Sequence, residues 1–159
     1  MTVSTNLNGI DVSHYQGLID WSIVKSNSIG FAFAKATQGS NIVDPCFSTN
    51  WANMKAVGLL RGAYHFFDSS CDSHAQAQNF LTTVGSLDAE DLPPVLDIEE
   101  FLGAYGNTDL PTNVQTWLDV VEQGLGRKPM IYTGTSFWNQ YMNNQFGDYP
   151  LWIAEYEVA

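Results

Sequence analysis

Basic residues are scarce in this chain: six Lys and Arg stand against 17 Asp and Glu, for a formal net charge of −11. Nucleic acid is held by neutralising its phosphates, so this balance, with no basic cluster anywhere, argues against that partner. Cysteine is nearly absent too. Cys46 and Cys71 show neither CxxC spacing nor paired His nearby, so no zinc site is expected and free, partly buried thiols are. No apolar run approaches the ~20 residues of a membrane span, and the start MTVSTNLNG lacks the basic and apolar regions of an export signal. The chain therefore reads as soluble, without membrane insertion and without a signal peptide. No GxGxxG or GxxxxGKS turn follows any apolar segment, which removes the usual cradles for a nucleotide phosphate. Internal repeats and low-complexity linkers are also missing, so residues 1–159 read as a single domain.

What is present is ample material for one core, 45% hydrophobic and 13% aromatic over 159 residues. Only 14% of residues are charged, so amides, hydroxyls and aromatics must fill the surface. That composition suits sugars as well as it suits an ordinary polar surface. Short apolar segments alternate with helical patterns. The strand candidates are residues 9–12, 31–35, 61–66, 94–98, 130–133 and 151–154. The helix candidates are 20–26, 44–57, 73–84, 112–125 and 135–143, with Thr112 as N-cap of the fourth and Gly126 as its stop. Strand then helix, repeated, predicts an α/β fold with parallel strands, either doubly wound or a TIM-like barrel. Polar residues just past the strand ends favour the barrel: Asp11, Lys35, His65, Asp97 with Glu99, Tyr132 and Glu155 would then crowd one mouth.

The most informative local pattern is Asp97-Ile98-Glu99, closing the run Leu92-Pro-Pro-Val-Leu96. Alternate residues of a strand share a face, so positions 97 and 99 lie together with α-carbons ~6.6 Å apart. Two carboxylates held close, in a partly apolar cleft, split into one protonated and one ionised group, the division of labour that glycoside hydrolysis needs. Spacing alone favours a solvated acidic loop over a catalytic pair, since Glu100 extends the run. Asp11, ending the first strand inside GIDVSHYQG, would open onto the same mouth as a third carboxylate, or else serve as a turn acceptor.

Taken in order, GIDVSHYQG, FAFAKATQG, GAYHFF, LPPVLDIE, PMIYTG and PLWIAEY resemble the glycoside hydrolase family 25 lysozymes, the Chalaropsis-type muramidases that include phage endolysins. The resemblance runs from about residue 8 to residue 156. It implies a single family 25 catalytic domain with a TIM-like barrel. The implied enzyme is an N-acetylmuramidase, cutting the β-1,4 bond between N-acetylmuramic acid and N-acetylglucosamine in bacterial peptidoglycan without metal or cofactor. Matched residue by residue, Glu99 falls on the general acid, Asp97 on its acidic partner and Asp11 on the first-strand Asp. Charge on Asp97 and Asp11 is expected to raise the pKa of Glu99. Tyr64, Tyr132 and Trp152 fall on substrate-binding positions. Lys35, Phe66 and Tyr156 are further candidates at the mouth, as is Tyr15, each with burial in the barrel as its bland alternative. Trp21, Trp51, Trp117 and Trp138 fall in helices and are expected to pack on the sheet.

Two departures from the family pattern stand out. Gln38 in KATQG occupies a position that is commonly acidic, and the chain stops at Ala159, where the family continues into a last strand bearing another Asp. A barrel shortened in this way leaves an open edge that invites self-association. Two rivals remain: a peptidoglycan-binding domain that is weak or inactive as a catalyst, and a metal-dependent barrel hydrolase using His14, His65, Asp97 and Glu99. In the muramidase reading the protein is secreted or released to act on the wall.

Overall fold

The computed structural model of the chain describes residues 7–103, 109–142 and 145–154. Six strands run parallel in sequential order: β1 (Asn8–Val12), β2 (Ile29–Gln38), β4 (Leu60–Phe66), β5 (Val95–Asp97), β6 (Met130–Gly134) and β7 (Leu151–Ala154). All six predicted strands are present, although β2 is twice the expected length. The short β3 (Ile42–Val43), which no pattern in the sequence announced, folds back antiparallel on the end of β2. Among the described residues five α-helices lie between the strands: α1 (Trp21–Ser26), α2 (Phe47–Ala56), α3 (Ser73–Val84), α4 (Leu110–Leu125) and α5 (Thr135–Tyr141).

A doubly wound sheet reverses its strand order at a switch point, and this one never does. It curls instead. The rings of Phe33 on β2 and Trp152 on β7 have centroids 5.4 Å apart, although a flat sheet would separate those strands by four spacings, about 19 Å. The fold is therefore an α/β half-barrel of the TIM type. Among the described residues, β1 and β7 each pair with a single neighbouring strand.

Strand alternation sorts the residues between two faces. The outer face carries Ala32, Ala34 and Ala36 of β2, Ala63 of β4, Leu96 of β5 and Ile131 of β6, all buried against the helices. Trp117, Leu118 and Val121 of α4 and Phe80 of α3 close that layer. Trp21, Trp51 and Trp138 join the same packing, as their helical positions predict. On the inner face, the Phe rings of β2 fill the space that glycines leave free. A Cβ on Gly9 would lie 2.0 Å from the Phe31 ring, and one on Gly62 2.1 Å from Phe33, so any larger residue there displaces an aromatic ring.

Helix ends follow local chemistry. Asp20 and Asp72 cap α1 and α3 by accepting backbone N–H groups of the first turn. The start of α4 corrects the expected cap: Asp109, not Thr112, is the N-cap, its Oδ1 accepting from the Thr112 N–H at 2.9 Å. Pro111 then sits in the first turn, where a missing N–H costs nothing. Gly126 ends the helix in the left-handed conformation at φ 63°.

Candidate active site

At the carboxyl ends of the strands, Asp11, Tyr64, Val95, Asp97, Tyr132 and Trp152 line one pocket. They come from β1, β4, β5, β6 and β7, and each projects inward because it shares parity with the inner-face residues of its strand. The pocket floor has a free volume of about 20 Å³, room for a group the size of a water or a methyl. Its walls are the edge-to-face rings of Tyr132 and Trp152, 4.8 Å between centroids at 73°. Above them the cleft is open.

Asp97 is the electrostatic centre. It is 8% exposed, and its Oδ1 is buried with no hydrogen-bond partner among the described residues. Burial first, then the charge of Glu99 and a hydrogen bond shared with it, push the Asp97 carboxyl up to about 8. Asp11 adds to the rise, and Lys35 opposes it. Glu99 lies two residues on, past the strand end and exposed to solvent. The carboxylates at 97 and 99 therefore meet as their spacing predicts, and Asp11 shares the pocket with Asp97. The strand buries residue 97, which raises its carboxyl, while the loop lifts residue 99 into water.

Lys35 is buried on the inner face of β2, its Nζ donating to Gln38 Oε1 at 2.8 Å and lying 4.9 Å from the Phe66 ring centroid. Burial lowers its pKa, against the pull of Asp97 and Asp44. Lys35 and Phe66 thus stand beside the pocket rather than in its lining. Burial, together with the charges of Asp97, Asp11 and Asp44, raises the Tyr64 phenol. This hydroxyl stays protonated and can donate to a sugar oxygen.

His65 does not reach the mouth. Tyr64 and Phe66 point inward, so residue 65 must point out, where it stacks on Trp117 at 5.5 Å and bonds to Thr37 and Gln76. Burial pushes its pKa down to about 3. With His14 bonded to Asp44 instead, the four ligands of a metal hydrolase do not converge. Among the described residues no group of three or more His, Cys, Asp or Glu side chains is placed to hold a metal. Tyr15 is 81% exposed, contrary to its core reading. Tyr156 and Glu155 lie outside the described residues. Cys46 and Cys71 are half-buried free thiols. Asp44 and Ser13 were not singled out in the sequence, since nothing in their local pattern separates a buried acceptor from an ordinary turn residue.

The sequence model of the family described as glycosyl hydrolases family 25 matches residues 10–159. Among curated relatives, the Escherichia coli K12 protein YegX is 44% identical over 158 residues, covering 96% of this chain and 57% of its own. Lysozyme M1 of Streptomyces globisporus is 39% identical, with 98% of this chain and 57% of its own covered. The crystal structure of a bacterial lysozyme from Streptomyces coelicolor superposes with a TM-score of 0.85 at 37% identity, covering 99% of this chain and 77% of that one. The chain spans 57% of the length of these two curated relatives.

Proposed function

The chain belongs to glycosyl hydrolases family 25, and from that premise we infer that it is an N-acetylmuramidase acting on the β-1,4 bond between N-acetylmuramic acid and N-acetylglucosamine in bacterial peptidoglycan. One observation carries the reading: a buried Asp97 that holds a proton up to about pH 8, hydrogen-bonded to a solvent-facing Glu99, at the floor of an aromatic-walled cleft. A single proton shared by two carboxyls is what an acid catalyst needs when its partner must end as an anion.

The free protein keeps that proton on Asp97. A sugar laid over the cleft takes Glu99 out of water, which disfavours its anion, and the proton crosses the existing hydrogen bond to Glu99. Glu99 then donates it to the leaving glycosidic oxygen. Asp97, now ionised, lines the pocket and has in Oδ1 an acceptor without a partner among the described residues. A substrate 2-acetamido N–H satisfies that oxygen, and the acetamido methyl matches the small floor between Val95, Tyr132 and Trp152. Held so, the acetamido oxygen attacks the anomeric carbon as the glycosidic bond breaks, which is the substrate-assisted variant of retaining hydrolysis. Negative charge on Asp11 and Asp97 favours the oxocarbenium-like transition state.

Tyr64, Tyr132 and Trp152 supply hydroxyls and ring faces for the sugars, with Lys35 and Phe66 behind them. Acting on a wall polymer, the protein would work outside the membrane that bounds its cell of origin. Among the described residues no helix is long and apolar enough to cross a membrane.

The test is release of reducing ends from purified peptidoglycan by the parent chain and by Glu99→Gln. Removing a general acid lowers turnover by about 10²–10⁴-fold. Equal release from both proteins would mean that Glu99 is not the acid. No release from either, with wall still bound, would turn the reading to a binding domain.

A further inference from the structure

Beyond the pocket, the rim that follows β1 is built with more care than a surface turn requires. Residues His14–Gln16 form a single 3-10 turn closed by a capping box. The Gln16 Oε1 accepts from the Ser13 N–H at 2.7 Å, and the Ser13 Oγ accepts from the Tyr15 N–H at 3.3 Å. From the other side, Asp44 buries its carboxylate to 1% exposure and spends it almost wholly on this turn. Its Oδ2 takes the His14 N–H at 3.0 Å and the His14 Nδ1 at 2.7 Å, while Oδ1 takes the Cys46 N–H at 2.9 Å.

Burying a carboxylate is costly unless its lone pairs are matched, and here two of the three donors, both on Oδ2, come from His14. The result is a His14 ring and a Tyr15 ring tilted against each other, 4.1 Å between centroids at 37°, with Tyr15 81% exposed and the His14 side chain 39% exposed. With Nδ1–H given to Asp44, the imidazole is held in the tautomer whose Nε2 accepts. An exposed tyrosine alone needs no explanation. An exposed ring pair, clamped by a buried acid and set on a capped turn, is a pre-organised contact surface.

We propose that His14 and Tyr15 form an outlying subsite that stacks against a sugar ring of the glycan strand, beyond the sugars lying over the Asp97 pocket. Tyr15 follows Asp11 by four residues, so its α-carbon lies within about 14 Å of that of Asp11, on the mouth's β1 side. Tyr132 and Trp152 rise from β6 and β7, so a glycan crossing the carboxylates would meet aromatic faces on both flanks. The flat apolar face of a pyranose stacks on Tyr15, and one of its hydroxyls donates to His14 Nε2. Asp44 keeps the ring pair oriented without touching the glycan.

This proposal rests on the muramidase reading, and binding rather than turnover tests it. In a Glu99→Gln background, titration calorimetry would compare a disaccharide with a hexasaccharide of alternating N-acetylglucosamine and N-acetylmuramic acid. Adding Tyr15→Ala should shrink the affinity advantage of the longer glycan by about fivefold, the scale of one lost aromatic contact. Tyr15→Trp should keep that advantage, and Asp44→Asn should reduce it less than Tyr15→Ala does. An advantage unchanged in Tyr15→Ala, or lost equally in Tyr15→Trp, would overturn the subsite while leaving the muramidase reading intact. Failure of both oligomers to bind the Glu99→Gln parent would sink both.

Discussion

Two charge clusters at opposite ends of the same strands are built on opposite principles. At the amino end, the Arg61 guanidinium is buried at the start of β4 and fully matched. It donates to both Asp91 oxygens at 2.7 and 3.2 Å, to Asp88 at 3.0 Å and to the Trp51 carbonyl at 2.9 Å, and it lies 3.9 Å from the Trp51 ring centroid. Arg127 adds bonds to the carbonyls of Asp91, Asp88 and Ala89, and Lys55 bonds to Asp88 at 2.6 Å. At the carboxyl end, Asp97 is buried beside other acids, keeps an oxygen without a partner among the described residues and faces a Lys35 whose ammonium donates to the neutral Gln38 amide. The first cluster stabilises the half-barrel. The second leaves charge unbalanced where a substrate can balance it, as barrel enzymes do at the face that bears their loops.

The sharpest way to break this contrast is Asp97→Asn. Turnover should fall by about 10²–10⁴-fold, because the shared proton has lost its holder. Stability should move the other way above neutral pH. The Asp97 carboxyl titrates near 8 in the folded chain against an ordinary 3.8, so its protonation favours folding. That contribution is complete below about pH 4 and is lost as the pH rises through 8. Asparagine removes the loss, and the melting temperature at pH 9 should exceed that of the parent by several degrees. A variant that is both inactive and less stable at pH 9 would contradict the assignment of strain to this residue.

At the matched end the expectation inverts. Arg61→Ala strands Asp91 as an unpaired buried acid, and breaking such a pair costs about 3–5 kcal/mol. Urea denaturation at pH 7 should register that loss, while turnover per folded molecule stays near that of the parent. The exposed Lys55–Asp88 pair at the same end should contribute less than about 1 kcal/mol, so Lys55→Ala serves as the control.

Between the two ends, His65 is buried in the outer layer and tests acid stability. Its pKa is pushed from 6.5 down to about 3, so the unfolded chain takes up a proton that the folded chain refuses. Stability from this group is intact above pH 6.5 and is lost as the pH falls toward 3. Several kcal/mol should disappear between pH 7 and pH 4 in denaturation curves. His65→Gln should be weaker at pH 7, having lost the ring stacked on Trp117, but should show a flatter acid slope.

These contrasts also explain what the sequence reveals and what it hides. Parity along Leu96-Asp97-Ile98-Glu99 puts the two acids on one face before any coordinates exist, and the strand–helix alternation yields the parallel half-barrel. The same parity, applied between Tyr64 and Phe66, would have removed His65 from the mouth. Counting polar residues near strand ends without asking which face they take put it there. The depth of residue 97 against the exposure of residue 99 depends on where β5 ends, which apolar patterning cannot fix to one residue. Asp44 is hidden for another reason: its donors come from residues 14 and 46, and a pairing 30 residues apart has no local signature.

The smallest predicted effect isolates Lys35, a cation placed against the acids. Lys35 lowers the Asp97 carboxyl from where burial, Glu99 and Asp11 would otherwise put it, and Gln38 bonds its ammonium without neutralising it. Gln38→Glu would place a carboxylate against that ammonium and remove much of its influence, leaving Lys35, Phe66 and the strand in place. The basic limb of the pH–rate profile should then rise by about half to one pH unit, within the range that a nearby charge produces. Lys35→Met should move the limb in the same direction and further, because the charge is gone altogether. A structural role for Lys35 would instead lower turnover at all pH values alike, so a limb that stays in place in both variants would detach this cation from the acid pair. Opposite movements would point to the new carboxylate acting on Asp97 directly.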